Sequence, residues 1–171
     1  MTRNASLSVL KTIRSDNSVV NTRSAMFQYQ YPHPAVATDI AIFTLREGRL
    51  LLLLVKRRDA PYAGRWALPG GFLKMDEDLD SCARRELREE TNVDAEVLEH
   101  FGNFSSPERD PRERVISIAY FALLDSKEIN LRAATDAADA RWWEVEKLPA
   151  RKMLAFDHEQ IIREALNALR S

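Results

Sequence analysis

Apolar and polar positions divide the chain into runs of two different periods. From Ala35 to Leu45 the stretch AVATDIAIFTL is dense in β-branched and apolar residues; Glu47-Gly48 breaks it, and Arg49 to Lys56, RLLLLLVK, resumes a nearly unbroken apolar run. That pattern predicts a β-hairpin whose second strand is largely buried. Between Arg57 and Gly71 stand Pro61, Gly64, Pro69, Gly70 and Gly71, too many breakers for a helix, so a structured loop is expected. Asp76, Glu77, Asp78 and Asp80 crowd the next segment, with Arg84, Arg85 and Arg88 behind them. Acids first and bases later suit a helix dipole, and a helix from about Asp78 to Thr91 follows, ended by Asn92 in a left-handed cap. Strands are predicted over Ala95–Phe104, Val115–Leu124 and Ala140–Val145, with a polar loop, SSPERDPRER, between the first two. Ile161, Ile162, Ala165, Leu166 and Leu169 recur at helical spacing, so the chain closes on an amphipathic helix, with Asp157 as N-cap and Gln160 as its capping-box partner.

On a helical wheel of about 100° per residue, with Glu86 at zero, Glu90 falls near 40° and Glu89 near −60°. Leu79, Ala83 and Leu87 fall at about 20°, 60° and 100°, and Arg84, Arg85 and Arg88 cluster opposite. The three carboxylates therefore share the apolar, inward side of the helix. Like charges at these spacings repel by about 0.2–0.5 kcal/mol per pair, and acids near a helix C-terminus oppose its dipole. Partial burial adds to that cost unless a cation compensates it, and Mg²⁺ or Mn²⁺ does so while keeping positions open for phosphate oxygens. The competing explanation is ion pairing on a solvated helix, for instance Arg85 with Glu89 at i, i+4.

Composition narrows the chemistry further. The 171 residues suit one domain, and neither an internal repeat nor a low-complexity linker separates off a second. Lys plus Arg (25) nearly cancels Asp plus Glu (26), a formal charge of −1. No global field exists to hold a nucleic acid, so any anion site must be local. Cys82 is the single cysteine and there are 3 histidines, which excludes an intrachain disulfide or a zinc cluster, favours a reducing, cytoplasmic setting and makes oxygen the ligand for any metal. The longest apolar run, Leu50 to Val55, is far shorter than the roughly 20 residues a membrane span requires. Residues 1–25 are rich in Ser and Thr. They read as an extended start ahead of Met26, as a structured arm, or as an organellar presequence.

The spacing of Gly71, five residues, Glu77, seven residues, Arg85-Glu86-Leu87, one residue, Glu89-Glu90, one residue, Asn92-Val93 resembles the Nudix box. The single departure is Asn92, where that family has Gly, and Asn supplies the same cap. The resemblance implies a Nudix-type α/β/α sandwich with a mixed central sheet over residues 31–171, preceded by an N-terminal extension over residues 1–30. It implies that Glu86, Glu89 and Glu90 bind Mg²⁺ or Mn²⁺, with the Gly71 carbonyl and Glu77 contributing. Arg85 would orient the glutamates, and water would attack a phosphorus of a diphosphate. Glu89, Glu90, or a loop glutamate such as Glu108 or Glu113 is left open as the general base.

Lys56-Arg57-Arg58, the run from Ala60 to Gly71, Arg109-Asp110-Pro111-Arg112 and Phe156-Asp157-His158 resemble the ADP-ribose pyrophosphatase branch and the related Nudix regulators of NAD metabolism. Arg57, Arg65, Arg109 and Arg112 are then expected at substrate phosphates, and Trp66 at the base or in the core. His158 and Cys82 are read as packed structural groups. ADP-ribose hydrolysis to AMP and ribose 5-phosphate is the leading expectation, with a triphosphate or nucleotide-sugar hydrolase and an ADP-ribose-sensing regulator as alternatives. A regulator would carry a winged-helix segment, whereas Ser171 alone follows the final helix. The expected partner is a small nucleotide, without membrane or nucleic acid, and a homodimer is left open.

Overall fold

In the computed structural model, which describes residues 29–125 and 137–171, the predicted hairpin forms as β1 (Ala35–Arg46) and β2 (Arg49–Arg57). Arg46 pairs with Arg49 across a two-residue turn. Glu47 and Gly48 both take positive φ, 50° and 74°, the backbone hand that matches strand twist in so tight a turn. The region read as loop contains two short strands, β3 (Trp66–Ala67) and β4 (Gly70–Phe72). They pair with β2 and β1 respectively, and are too short to leave any periodic signature.

The helix α1 spans Leu79–Thr91; Asp78 caps it by accepting from the Ser81 N–H at 2.7 Å, and Asn92 ends it at φ 58°, ψ 25°. β5 covers only Glu99–Phe104, shorter than predicted, because Val93 and Ala95 are buried as irregular chain packed against the α1 side. β6 (Val115–Leu124) matches its prediction, and β7 (Ala137–Glu144) begins earlier than predicted. α2 spans His158–Ala168. Asp157 precedes it, but its carboxylate does not cap the helix, since Arg109 holds it at 2.7 and 3.0 Å. Gln160 turns to Glu164 instead.

The sheet runs β3-β2-β1-β6-β5, with β4 added to β1 and β7 to β2. Only β1 and β6 are parallel among these pairs, so the sheet is mixed. Strand alternation distributes the core between two layers. Ile40, Ile42 and Leu53 face Ala83 and Leu87 of α1; Ala41, Phe43, Leu52 and Leu54 face Ile161, Ile162 and Ala165 of α2. Trp142 and Trp143 divide between the same two clusters, both partly buried. The architecture is the α/β/α sandwich expected, and residues Tyr31–Ser171 form one compact unit. The three readings of residues 1–25 lie outside the described residues. Among the described residues no helix is long and apolar enough to cross a membrane.

Candidate active site

One cavity of about 290 Å³ opens where β1, β2 and β4 meet the loop before β6 and the start of α2; Thr38, Asp39, Gly70, Gly71, Glu90, Arg57, Arg58, Arg112 and Phe156 are among its lining. Acids and guanidiniums thus share one small concave space.

The acidic part of the site follows from how closely α1 lies against β4. The Gly70 N–H donates to Glu90 Oε2 at 3.0 Å. A Cβ on Gly71 would stand 2.4 Å from Glu86 Oε1, so only glycine leaves room for that carboxylate. Arg85 gathers the remaining acids. Its Nε and Nη2 donate to Glu77 at 2.9 and 2.6 Å, and its Nη1 to Glu86 at 2.6 Å and Glu89 at 3.0 Å. The wheel placed all three glutamates inward; Glu89 instead leaves 48% of its side chain exposed, because Arg85 draws it to the helix flank. The i, i+4 pair foreseen as the competing explanation is therefore formed.

Electrostatics separate these carboxylates. Hydrogen bonds from Arg85 pull Glu77 down to about 2. Burial raises Glu86 despite Arg85. Burial, with the charges of Glu86 and Asp39, pushes Glu90 up to about 8. Two carboxylates that resist ionising side by side make a donor set suited to a hard divalent cation. Among the described residues, no three His, Cys, Asp or Glu groups are already gathered as a metal cage, consistent with Arg85 holding Glu86 and Glu89. The chemistry of Glu86, Glu90 and the Gly71 carbonyl, all oxygen donors, fits Mg²⁺ or Mn²⁺. Burial raises the Cys82 thiol to about 11, so it stays a packed, neutral group.

A pH effect follows for metal-free protein. The unfolded chain gives up the Glu90 proton near the ordinary 4.5, whereas the folded protein keeps it to about 8. This group's contribution to stability is therefore full below the lower value and is lost as pH rises toward the upper one. In EDTA, Tm should fall more between pH 5 and 8 in the wild type than in Glu90→Gln, and Mg²⁺ should restore it most at pH 8.

Among the basic residues, Arg57 Nε donates to the Pro61 carbonyl at 2.8 Å and its guanidinium lies 4.9 Å from the Phe156 ring centre. Arg112 lies 5.0 Å from Phe72 and 5.7 Å from Phe156. Phe156 takes φ 49°, a conformation unfavourable for an aromatic residue and characteristic of functional segments. Arg109 reaches the cavity wall but is buried in ion pairs with Asp39 and Asp157. Arg65 stacks on Tyr62 away from the lining. Trp66 is a core residue in edge contact with Trp143. Glu108 and Glu113 are exposed and outside the lining.

Asp39 is the residue that sequence reasoning passed over. It is buried on β1 and accepts from Ser117 Oγ at 2.5 Å and Arg109 at 3.1 Å. The Leu68 N–H donates to His158 Nδ1 at 2.8 Å, which leaves the proton of the neutral ring on Nε2, 3.4 Å from Asp39 Oδ1. Burial lowers the His158 pKa and keeps the ring neutral. The available signal was a lone acid inside a strand rich in apolar and β-branched residues.

Known proteins resemble the chain over most of its length. The family model described as NUDIX domain matches residues 33–165. An ADP-ribose pyrophosphatase of Methanocaldococcus jannaschii is 39% identical over 88% of this chain and 84% of its own length. An ADPR responsive transcriptional repressor of Acinetobacter baylyi is 37% identical over 83% of this chain, which spans 58% of that protein. The NUDIX domain of Shewanella oneidensis NrtR, solved with ADP ribose, superposes with a TM-score of 0.73 at 30% identity, covering 85% of this chain and 96% of that one.

Proposed function

The chain belongs to the NUDIX family, and from that premise we propose that it is a pyrophosphohydrolase that cleaves ADP-ribose to AMP and ribose 5-phosphate with Mg²⁺ or Mn²⁺. The observation that carries this reading is that Glu90, Arg57 and Arg112 line the same cavity. Carboxylates there hold a cation; the guanidiniums beside them hold the anionic substrate. The similarity to an ADP-ribose pyrophosphatase and to a domain solved with ADP ribose supports the choice of substrate.

Glu86 and Glu90 would hold the cation together with the Gly71 carbonyl, joined by Glu89 when it leaves Arg85, with Glu77 nearby. A divalent cation bound there supplies charge neutralisation at the diphosphate and acidifies water. Arg85 keeps Glu77 ionised and sets the direction of Glu86, a task that fixes the site without contacting substrate. Arg57 and Arg112 donate to phosphate oxygens. Phe72 and Phe156 are flat apolar surfaces already covered by Arg112, suited to the flat part of a nucleotide. Glu90 is the favoured general base, because among the four candidates it alone lines the cavity.

The test is a panel of ADP-ribose, NADH, diadenosine polyphosphates and nucleoside triphosphates incubated with purified protein and Mg²⁺. Preferential release of AMP from ADP-ribose is expected. A triphosphate turned over at higher kcat/KM would replace the substrate assignment. A regulator reading draws on the similarity to the repressor; it predicts ADP-ribose binding without turnover of any panel member.

A further inference from the structure

Arg109 and Arg112 look equivalent in sequence, two guanidiniums three residues apart in one loop. Their surroundings are not. Only 4% of the Arg109 side chain is exposed. Its Nε and Nη2 donate to Asp157 at 3.0 and 2.7 Å, and Nη2 also to Asp39 at 3.1 Å. Arg112 is 42% exposed, and its partner Asp110 only 3%. Asp110 accepts from Arg112 through the backbone N–H at 3.0 Å, Nε at 3.0 Å and Nη2 at 2.7 Å.

We propose that Arg109 is a positioning residue and not a phosphate ligand: it pins the loop before β6 to β1 through Asp39 and to the start of α2 through Asp157, so that Asp110 can hold Arg112 at the cavity. A phosphate within hydrogen-bonding reach of Arg109 would also approach two carboxylates, and their repulsion offsets the attraction of one guanidinium. Lifting the loop away would strand Asp39 in the interior without its cation, which is strongly unfavourable. Asp157 completes the device, since the last helix forgoes a side-chain cap there and Asp157 engages the loop. The loop therefore has a division of labour: Arg109 anchors, Asp110 orients, and Arg112 meets the ligand.

The ligand part of this inference rests on the ADP-ribose reading, so the experiment has two arms. The first needs no ligand. Hydrogen exchange in Asp157→Asn and in Arg109→Lys, whose single ammonium cannot reproduce the bidentate fork, should accelerate at the hydrogen-bonded Arg109 and Arg112 amides by at least about 10-fold while α1 is unchanged. Unchanged loop exchange in both variants overturns the positioning role. The second arm measures the Kd of ADP-ribose in EDTA for Arg109→Lys, Arg112→Ala and the double variant. Positioning predicts a double-variant Kd within about 2-fold of the weaker single variant, whereas a direct ligand role predicts that the two losses multiply. Multiplying losses overturn the proposal. Accelerated loop exchange in the variants, together with a wild type that binds no ADP-ribose, would remove the substrate assignment and leave the anchor standing.

Discussion

Glu90→Gln is expected to lower turnover of the preferred nucleotide by at least about 100-fold, whether its carboxylate serves as metal ligand or as base. It lines the cavity, hydrogen-bonds to Gly70 and carries a carboxyl raised to about 8 by burial. Gln keeps the shape and an acceptor for the Gly70 N–H but removes the charge. Folding should therefore persist, and the loss should appear in kcat with Tm in EDTA at pH 8 unchanged or higher. Glu86→Gln should behave alike. Glu89→Gln should lose less, because Glu89 is half exposed and paired with Arg85. Steady-state kinetics of the three variants at saturating Mg²⁺ provide the check; a near-normal rate in both Glu86→Gln and Glu90→Gln would remove this helix from the chemistry.

The second large effect is structural and distinguishes two adjacent glycines. Gly70→Ala should destabilise the fold by at least about 3 kcal/mol, because its Cβ would stand 2.1 Å from the backbone oxygen of Thr38 at φ 159°. Backbone cannot yield there without parting β4 from β1, whose register places Asp39 opposite Gly70. Gly71→Ala meets only the end of the Glu86 side chain, which can swing aside. It should leave urea stability within about 1 kcal/mol while cutting turnover by at least about 10-fold, through displacement of a carboxylate. Urea midpoints and rates measured on both variants give the contrast; equal stability losses would contradict this account of the α1–β4 contact.

What the sequence made legible was local. The β1–β2 hairpin announced itself through an apolar run broken by Glu47-Gly48, and α1 through Asp78 at one end and Asn92 at the other, because turn and cap chemistry acts within a few residues. The clustering of acids along α1 was legible for the same reason, but the rotation of Glu89 was not, since it depends on which way Arg85 reaches. Long-range pairings left no local trace. Asp39, Arg109 and Asp157 are separated by 70 and 48 residues, and a helix start that reads as capped by Asp157 is left without that cap because a distant arginine competes for it. Trp66 had the composition of a base-stacking residue; its core position is set by Trp143 and α2, whose proximity only the folded sheet decides.

Divalent-cation cleavage of a nucleoside diphosphate linkage at Glu90, which lines the cavity, and at Glu86, beside Gly71 of that lining, is tested by following ADP-ribose by product analysis in Mg²⁺, in EDTA, and with Glu90→Gln in Mg²⁺. Equimolar AMP and ribose 5-phosphate are expected in the first reaction, and at least about 100-fold slower release in the other two. Equal release in EDTA and in Mg²⁺, or undiminished release by Glu90→Gln, would contradict that chemistry.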